Sequence, residues 1–479
     1  MKKRVKILAT IGPASDNIET LEKLILAGVN VFRLNFSHGT HEYHSKVLAN
    51  IREAMVRTKL LVGILQDICG PKVRVGVLKE DFLLNSGDKL EFFKEEIEGR
   101  RVGDGSYRLS LSNPAVLQKL KVDEYIYLYD GIIKLKVIEL LSDRVVTLVE
   151  NSAKLSSNKG VNFPNTRIDI EVLTPKDRED MAWGVRNSVD FMAISFVQNS
   201  SDMKQAREII NDLGGDTHLF AKIEKFDAIE NIDEILEYSD GLMVARGDLG
   251  IEVPYYRVPQ LQKMLIKKAN EASKPVITAT QMLLSMTTSQ TATRAEISDV
   301  ANAVLDGTDA VMLSEESAVG VNPVLAVETM TNTIVETEKI YPFNKFGVFE
   351  KKDATDVIDE SATRLASDLS ADAILVFTYS GQTVKKLARF RCSSQIYAIT
   401  HNYRVSKRLT IVWGVVPAFM VKESHLEHMM SEVIKNGIKR QIMSDSGTYV
   451  LTAGYPIGIS GSTNSIQVLR EYELKHFME

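Results

Sequence analysis

Two periods of apolar spacing alternate along the chain. Short, β-rich apolar runs recur at residues 5–11, 29–36, 62–68, 189–197, 219–224, 241–245, 276–280 and 310–313, eight in all. Between most of them apolar residues return at helical spacing, as over 18–27 and 202–212. Strands alternating with helices predict βαβ units and a parallel sheet. Eight such units predict an α/β fold whose sheet closes into a (β/α)8 barrel rather than staying open.

One interval breaks the rhythm. About 120 residues separate 68 from 189, too many for one crossover. Much of that stretch reads as strand, at 89–93, 125–128, 132–139 and 145–150, with Asp130-Gly131 as a hairpin turn. Residues 71–170 are therefore expected to form a small, barrel-like β domain inserted after the third strand, hinged at Gly70-Pro71. The barrel then comprises 1–70 and 171–344. A third region, 345–479, again reads as α/β: helix 356–370, strand 373–377, a Ser-Gly turn, helix 384–391 and strand 396–400.

Composition narrows the function classes. The chain has 479 residues, 44% apolar and 25% charged, with a formal net charge of −5. That is ordinary globular usage and argues against a nucleic-acid-binding protein. Cys69 and Cys392 lie far apart without CxxC spacing, so neither a disulfide framework nor a zinc site is expected. The N-terminus is basic but lacks the apolar stretch and cleavage site of a signal peptide. No apolar run is long enough to span a membrane. The expected setting is the cytoplasm.

Barrel enzymes build their sites at the C-terminal strand ends. Here those ends carry Thr10 to Pro13, then Arg33, Asn35, Ser37 and His38, then Asp67 and Ser195. The later ends carry Lys222 and Glu224, Arg246-Gly247-Asp248, Thr280-Gln281, and Ser314 with Glu316. Taken singly, Lys222 and Glu224 read as an interior ion pair, Arg246-Gly247-Asp248 as a turn, His38 as a loop residue and Thr280 as a helix cap. Together they form a ring of charge at one end of an apolar barrel, which is costly unless paired or bound to something. Glu224 and Asp248, on neighbouring strands, suit one hard divalent cation, Mg²⁺ or Mn²⁺. Arg33 and Lys222 suit phosphoryl oxygens. Phosphoryl transfer needs positioning and charge neutralisation, which this set supplies.

The stretches Lys6-Ile7-Leu8-Ala9-Thr10-Ile11-Gly12-Pro13-Ala14-Ser15, Phe32-Arg33-Leu34-Asn35-Phe36-Ser37-His38-Gly39 and Met243-Val244-Ala245-Arg246-Gly247-Asp248-Leu249-Gly250 resemble the pyruvate kinase family. So do Ile277-Thr278-Ala279-Thr280-Gln281-Met282 and Thr293-Arg294-Ala295-Glu296. The resemblance covers the whole chain. It implies transfer of the phosphoryl group of phosphoenolpyruvate to ADP, giving pyruvate and ATP. In that scheme Lys222 neutralises the group in flight and Arg33 contacts it. Glu224 and Asp248 hold the divalent cation, and Gly247 and Asp248 amides with Thr280 bind the substrate carboxylate. Arg33, Asn35, His38 and Lys176 take the nucleotide, Arg74 swings in with the inserted domain acting as a lid, and Ser314 and Glu316 match a proton-relay region. The resemblance also implies a homotetramer.

Two departures matter. Many family members read Asp-Thr-Lys-Gly-Pro-Glu-Ile-Arg-Thr and require K⁺, held near an Asn, a Ser and the Asp that match Asn35, Ser37 and Asp67. This chain reads Asp67-Ile68-Cys69-Gly70-Pro71-Lys72-Val73-Arg74-Val75. A tethered Lys72 ammonium can replace the free ion, and two cations there would repel, so activity without K⁺ is expected. In the C-terminal region, Thr378, Ser380, Gln382 and Thr383 lie in a strand-to-helix loop resembling the family's allosteric sugar-phosphate loop, which makes 345–479 a regulatory domain that binds a phosphorylated effector. Segment 454–464 lacks the Trp and Arg that grip fructose 1,6-bisphosphate in the animal enzymes. The competing readings are another metal-dependent phosphoenolpyruvate or pyruvate barrel enzyme, and a catalytically silent sugar-phosphate sensor.

Overall fold

A computed structural model describes residues 3–164, 166–168, 171–421, 425–454 and 463–478. Its centre is a closed parallel barrel of β1 (Lys6–Thr10), β2 (Val31–Asn35), β3 (Gly63–Ile68), β4 (Phe191–Ile194), β5 (His218–Ile223), β6 (Gly241–Ala245), β7 (Val276–Ala279) and β8 (Ala310–Leu313). Each strand pairs with its neighbours in order, and β8 closes on β1 with Ala310 opposite Lys6. The eight expected runs are these eight strands.

Strand alternation sorts the side chains. Ile7 and Ala9 join the large core under the helices, whereas Leu8, Val31, Leu65, Phe191, Phe220, Met243 and Ile277 fill the barrel interior. Each fully buried Leu or Phe contributes about 1.5–3 kcal/mol. The interior core continues into Ala388, Leu409, Ile411 and Val412 of the C-terminal region, which closes the N-terminal end of the barrel. Two residues further along the same inward rows the side chains turn polar: Val31 is followed by Arg33, Leu65 by Asp67 and Phe220 by Lys222. The period of two thus carries one row from an apolar floor to a charged rim.

Between β3 and β4 lies a seven-stranded sheet in the order Val161–Asn162, Tyr125–Leu128, Ile133–Leu140, Arg144–Val149, Lys89–Phe93, Ser106–Ser110, Arg100–Gly103. A two-stranded ribbon of Phe82–Leu84 and Ala153–Leu155 accompanies it, and both enclose one core around Phe82, Phe92, Leu109 and Val137. The hairpin at Asp130-Gly131 forms as expected: both residues have positive φ (53° and 84°), and Ile132 N–H donates to Tyr129 O at 3.1 Å. Asn162 Nδ2 reaches back to the barrel at Glu252 Oε1, 3.1 Å away.

The C-terminal sheet runs Val415–Met420, Gln395–Thr400, Ala373–Phe377, Tyr449–Gly454, Thr463–Leu469, the last strand antiparallel. Its helices start two residues before the expected positions, at Ala354–Asp368 and Gln382–Ala388. The Asp353 side chain caps the first, accepting from Asp356 N, and Gly381 at φ 88° opens the second.

Candidate active site

The charged rim forms one connected network. Lys222 Nζ lies 2.9 Å from Glu224 Oε1, 3.2 Å from Asp67 Oδ1 and 2.7 Å from Ser195 Oγ. Arg33 grips the other oxygen of Asp67 through Nε (2.7 Å) and Nη2 (2.6 Å), and its Nη1 donates to Thr10 Oγ1 at 3.0 Å. All are buried or nearly so: the side-chain exposures of Lys222 and Arg33 are 11% each and that of Asp67 is 2%. Burial opposes the charge on Lys222, but Asp67 and Glu224 outweigh it and hold its pKa well above the ordinary lysine value. Burial likewise opposes the charge on Asp67, yet Lys222 and Arg33 keep it below the usual carboxylate range. This is a positive centre fixed in position by buried acids.

Glu224 is the exception. Its Oε2 accepts from Phe196 N at 2.8 Å, yet burial first, and then the nearby Asp248 carboxylate, push its pKa up. Two carboxylates near enough to repel are what a divalent cation would relieve, and their oxygen donors suit Mg²⁺ or Mn²⁺. Among the described residues no group of three or more His, Cys, Asp or Glu side chains offers a protein-only metal cage. Glu224 and Asp248 would therefore need ligand or water oxygens to complete a coordination shell.

The turn after β7 is strained. Thr280 has φ 71° and Gln281 φ 55°, left-handed conformations that non-glycine residues adopt uncommonly and a β-branched one such as Thr280 rarely. Thr280 Oγ1 donates to Ala279 O at 2.6 Å and accepts from Gly247 N at 2.7 Å, so the Gly247 amide and the Thr280 hydroxyl face each other. Arg246 holds the turn: its Nη2 donates to Thr280 O (2.8 Å), while Asp299 takes its Nη1 (2.8 Å) and Nη2 (2.7 Å). In the sequence Arg246 belongs to the Arg246-Gly247-Asp248 turn. Its partners are 34 and 53 residues away, which no local pattern reveals.

On the opposite side, the Asn35 side chain caps Ser37 N (3.2 Å), and His38 and Ser37 are exposed. Lys176, on the barrel helix Pro175–Arg186, borders this loop through Phe36 O (3.2 Å) and pairs with Asp180 (2.6 Å). Arg74 Nη1 donates to Asn158 O at 3.2 Å in the inserted region. Lys72 Nζ faces Asp130 Oδ1 of the hairpin at 3.8 Å, and no described hydrogen bond or ion pair joins it to Asn35, Ser37 or Asp67. The chain has already turned at Gly70 (φ 71°) and left the barrel before Lys72 is reached.

Ser314 and Glu316 meet at the end of β8. The buried Glu316 accepts from Ser314 N (2.7 Å) and Leu283 N (3.0 Å), so it clamps two loops together, while burial raises its pKa. In the C-terminal region Thr378 Oγ1 accepts from Gly381 N at 2.9 Å. Gln382 and Thr383 belong to the helix itself, and Thr383 Oγ1 bonds Thr463 Oγ1 at 2.6 Å. Residues 455–462 of the expected effector segment lie outside the described residues.

A closed parallel barrel with a buried, acid-anchored lysine and arginine beside two carboxylates at its C-terminal rim is the framework of a phosphoryl-transfer enzyme. Comparison makes the class specific. Residues 2–327 match the family model described as pyruvate kinase, barrel domain, and 356–469 the one described as pyruvate kinase, alpha/beta domain. The chain is 42% identical over 476 residues to pyruvate kinase of Geobacillus stearothermophilus, covering 98% of this chain and 80% of the relative. It is 40% identical over 474 residues to that of Sporosarcina psychrophila, covering 97% and 80%. The crystal structure of a pyruvate kinase from Cryptosporidium parvum superposes with a TM-score of 0.91 at 34% identity, covering 98% of this chain and 96% of that one. The chain belongs to the pyruvate kinase family.

Proposed function

We propose that the rim transfers the phosphoryl group of phosphoenolpyruvate to ADP, giving enolpyruvate that is protonated to pyruvate. The observation that carries this reading is the Lys222 ammonium, fixed among Asp67, Glu224 and Ser195 with its charge secured. Lys222 neutralises the phosphoryl oxygens in transit, and Arg33 steadies them from the neighbouring row. Thr280, with the Gly247 and Asp248 amides, receives the substrate carboxylate. Glu224 and Asp248 would hold the divalent cation, Mg²⁺ or Mn²⁺, which when bound supplies charge to neutralise carboxylate and phosphate oxygens. Asn35, Arg33, His38 and Lys176 take the nucleotide at the opposite edge, with residues 71–170 as the lid. Arg74 joins the site only when that lid closes. Ser314 and Glu316 act near the proton delivered to the enolate carbon.

The same reading extends to regulation. Residues 345–479 act as a regulatory domain that takes a phosphorylated metabolite at Thr378, Ser380, Gln382 and Thr383, in a cytoplasmic homotetramer. K⁺ is dispensable, with Lys72 brought toward Asn35, Ser37 and Asp67 by lid closure. Among the described residues no helix is long and apolar enough to cross a membrane.

One assay tests the reading: pyruvate formation from phosphoenolpyruvate and ADP with Mg²⁺ in K⁺-free buffer, followed by K⁺ titration. Full activity before K⁺ supports both parts. Activity only after K⁺ removes the Lys72 role and keeps the kinase. A folded protein inactive in both conditions, and with sugar-phosphate activators, refutes the catalytic reading.

A further inference from the structure

At the opposite end of the barrel from the rim, a small cavity of about 10 Å³ lies between the N-terminal ends of β7 and β8 and the helix Gln382–Ala388. That is room for about one water-sized sphere. Four cations line it (Lys274, Lys385, Arg389 and Arg391) against a single carboxylate, Asp309. Asp309 is already committed: one oxygen accepts from Trp413 N at 3.1 Å, the other from Val276 N at 3.2 Å and Arg391 Nη2 at 3.1 Å.

The cations are unevenly served: Arg391 donates through Nη1 to Ala388 O (2.8 Å) and through Nη2 to Asn270 Oδ1 (2.6 Å) and Gly307 O (2.8 Å) as well as Asp309. Arg391 is 2% exposed and Arg389 5%, and the Nε of each has no hydrogen-bond partner. Arg389 does reach Ser273 Oγ through Nη1 (3.3 Å) and lies 3.2 Å from Asp356, but its buried Nη2 forms no aligned hydrogen bond. The Lys274 ammonium is turned to the carbonyls of Leu236 and Glu237. No described hydrogen bond or ion pair reaches the Lys385 ammonium, on which the charges of Asp240 and Arg408 act. Burial holds both lysines below the ordinary lysine pKa and Asp240 opposes it, while the charge of Lys385 adds to the effect on Lys274 and that of Arg408 to the effect on Lys385. The four cations face three carboxylates, Asp309, Asp356 and Asp240, and the buried guanidinium donors of Arg389 and Arg391 that lack partners, together with the one charge left over, call for an anionic acceptor.

We propose that this cavity is a halide-sized anion site: one small monovalent anion of the chloride class sits among Lys385, Arg389 and Arg391 and fastens the C-terminal domain to the base of the barrel. A water molecule would satisfy donors but leave the charge unbalanced. A phosphate or sulfate is larger than the space. The anion is a structural rivet independent of the catalytic rim. It lies at the root of the helix whose other end follows the Thr378–Gly381 loop.

Two measurements on the full-length protein test it. Crystals soaked in bromide should show an anomalous peak between Lys385 and Arg391. Thermal unfolding in chloride should be compared with gluconate at equal ionic strength. Chloride should stabilise saturably, lowering the unfolding equilibrium constant about tenfold once its concentration is ten times its dissociation constant. Lys385→Met should lose that response while keeping wild-type kcat at saturating substrate. Identical unfolding in the two salts, with no bromide peak in the cavity, overturns the proposal and leaves a water site.

Discussion

Replacing Arg246 by methionine removes the strut under Thr280 while keeping most of the side-chain volume. Thr280 and Gln281 both sit at positive φ, each at a cost of about 1–3 kcal/mol. The turn persists because Arg246 bonds the Thr280 carbonyl and is itself held by both oxygens of Asp299. If about 2 kcal/mol of that strain loses its support, the strained conformer falls to roughly one part in thirty. Apparent affinity falls by the same fraction, so KM for phosphoenolpyruvate should rise about thirtyfold. KM for ADP should move little, because the Asn35–His38 loop, proposed above to take the nucleotide, leaves the barrel from β2, across from the turn. A general loss of structure would not separate the two constants. Arg246→Lys keeps the charge but cannot span Thr280 O and Asp299 together, so it should recover only part of the loss. Added guanidinium ion should partly restore the methionine variant. Steady-state kinetics in both substrates, with a thermal scan of each variant, is the assay. A methionine variant whose KM for phosphoenolpyruvate stays within twofold of wild type would refute the strut argument.

Three further outcomes follow from buried charge. Lys222→Met should cut kcat by about 10²–10³ or more, measured at saturating substrates, by removing the fixed cation. It should also cost about 3–5 kcal/mol of stability, because Asp67 and Glu224 are left buried without it. Burial, then the charge of Lys385, lowers the pKa of His218 to about 3, so the folded state holds the neutral ring. Its stabilising contribution is complete above the unfolded value near 6.5 and is lost as pH falls toward 3. That loss reaches about 1.4 kcal/mol at pH 5.5, and His218→Gln should flatten the acid limb of a stability–pH profile. Asp359 has neither carboxylate oxygen hydrogen-bonded, and burial raises its pKa to about 8. Its folded state favours the protonated acid, so the contribution is complete below the unfolded value near 3.8 and is lost as pH rises toward 8. At pH 7 the loss is roughly 4 kcal/mol, and Asp359→Asn, which must still bury an amide, should gain about 1–3 kcal/mol in denaturant unfolding.

The fold was legible because it rests on local periods. A barrel strand covered on both faces is a short apolar run, and each of the eight runs became a strand. The Asp130-Gly131 hairpin was legible for a different local reason, since its turn needs positive φ at two positions. Alternation also makes the inner rim readable: a residue two places beyond an inward Val31, Leu65 or Phe220 must point inward, and there stand Arg33, Asp67 and Lys222. What stayed hidden depends on contacts between distant loops. Ser195 was visible as a strand-end residue, but not its bond to Lys222 on the next strand. Glu316 was expected beside a proton path, and its two backbone partners show a clamp between the loops after β7 and β8.

Lys72 shows the physical limit of such reading. Its identity suggests a cation delivered to Asn35, Ser37 and Asp67, but its place is set by the inserted sheet, whose pose relative to the barrel no local pattern encodes. Here its ammonium faces Asp130, a carboxylate 61% exposed at a separation of 3.8 Å. Pairs that exposed contribute about 0–1 kcal/mol, so this contact offers little resistance to a swing of the inserted region. Asp67, by contrast, is 2% exposed and already neutralised on both oxygens by Arg33 and Lys222. A third cation arriving there would meet two fixed positive charges, so any gain must come from Asn35, Ser37 and the phosphates of the nucleotide. Lid closure and nucleotide binding are therefore coupled in this reading, and K⁺ independence should appear only in the ternary complex, not in the affinity of the free enzyme for either substrate.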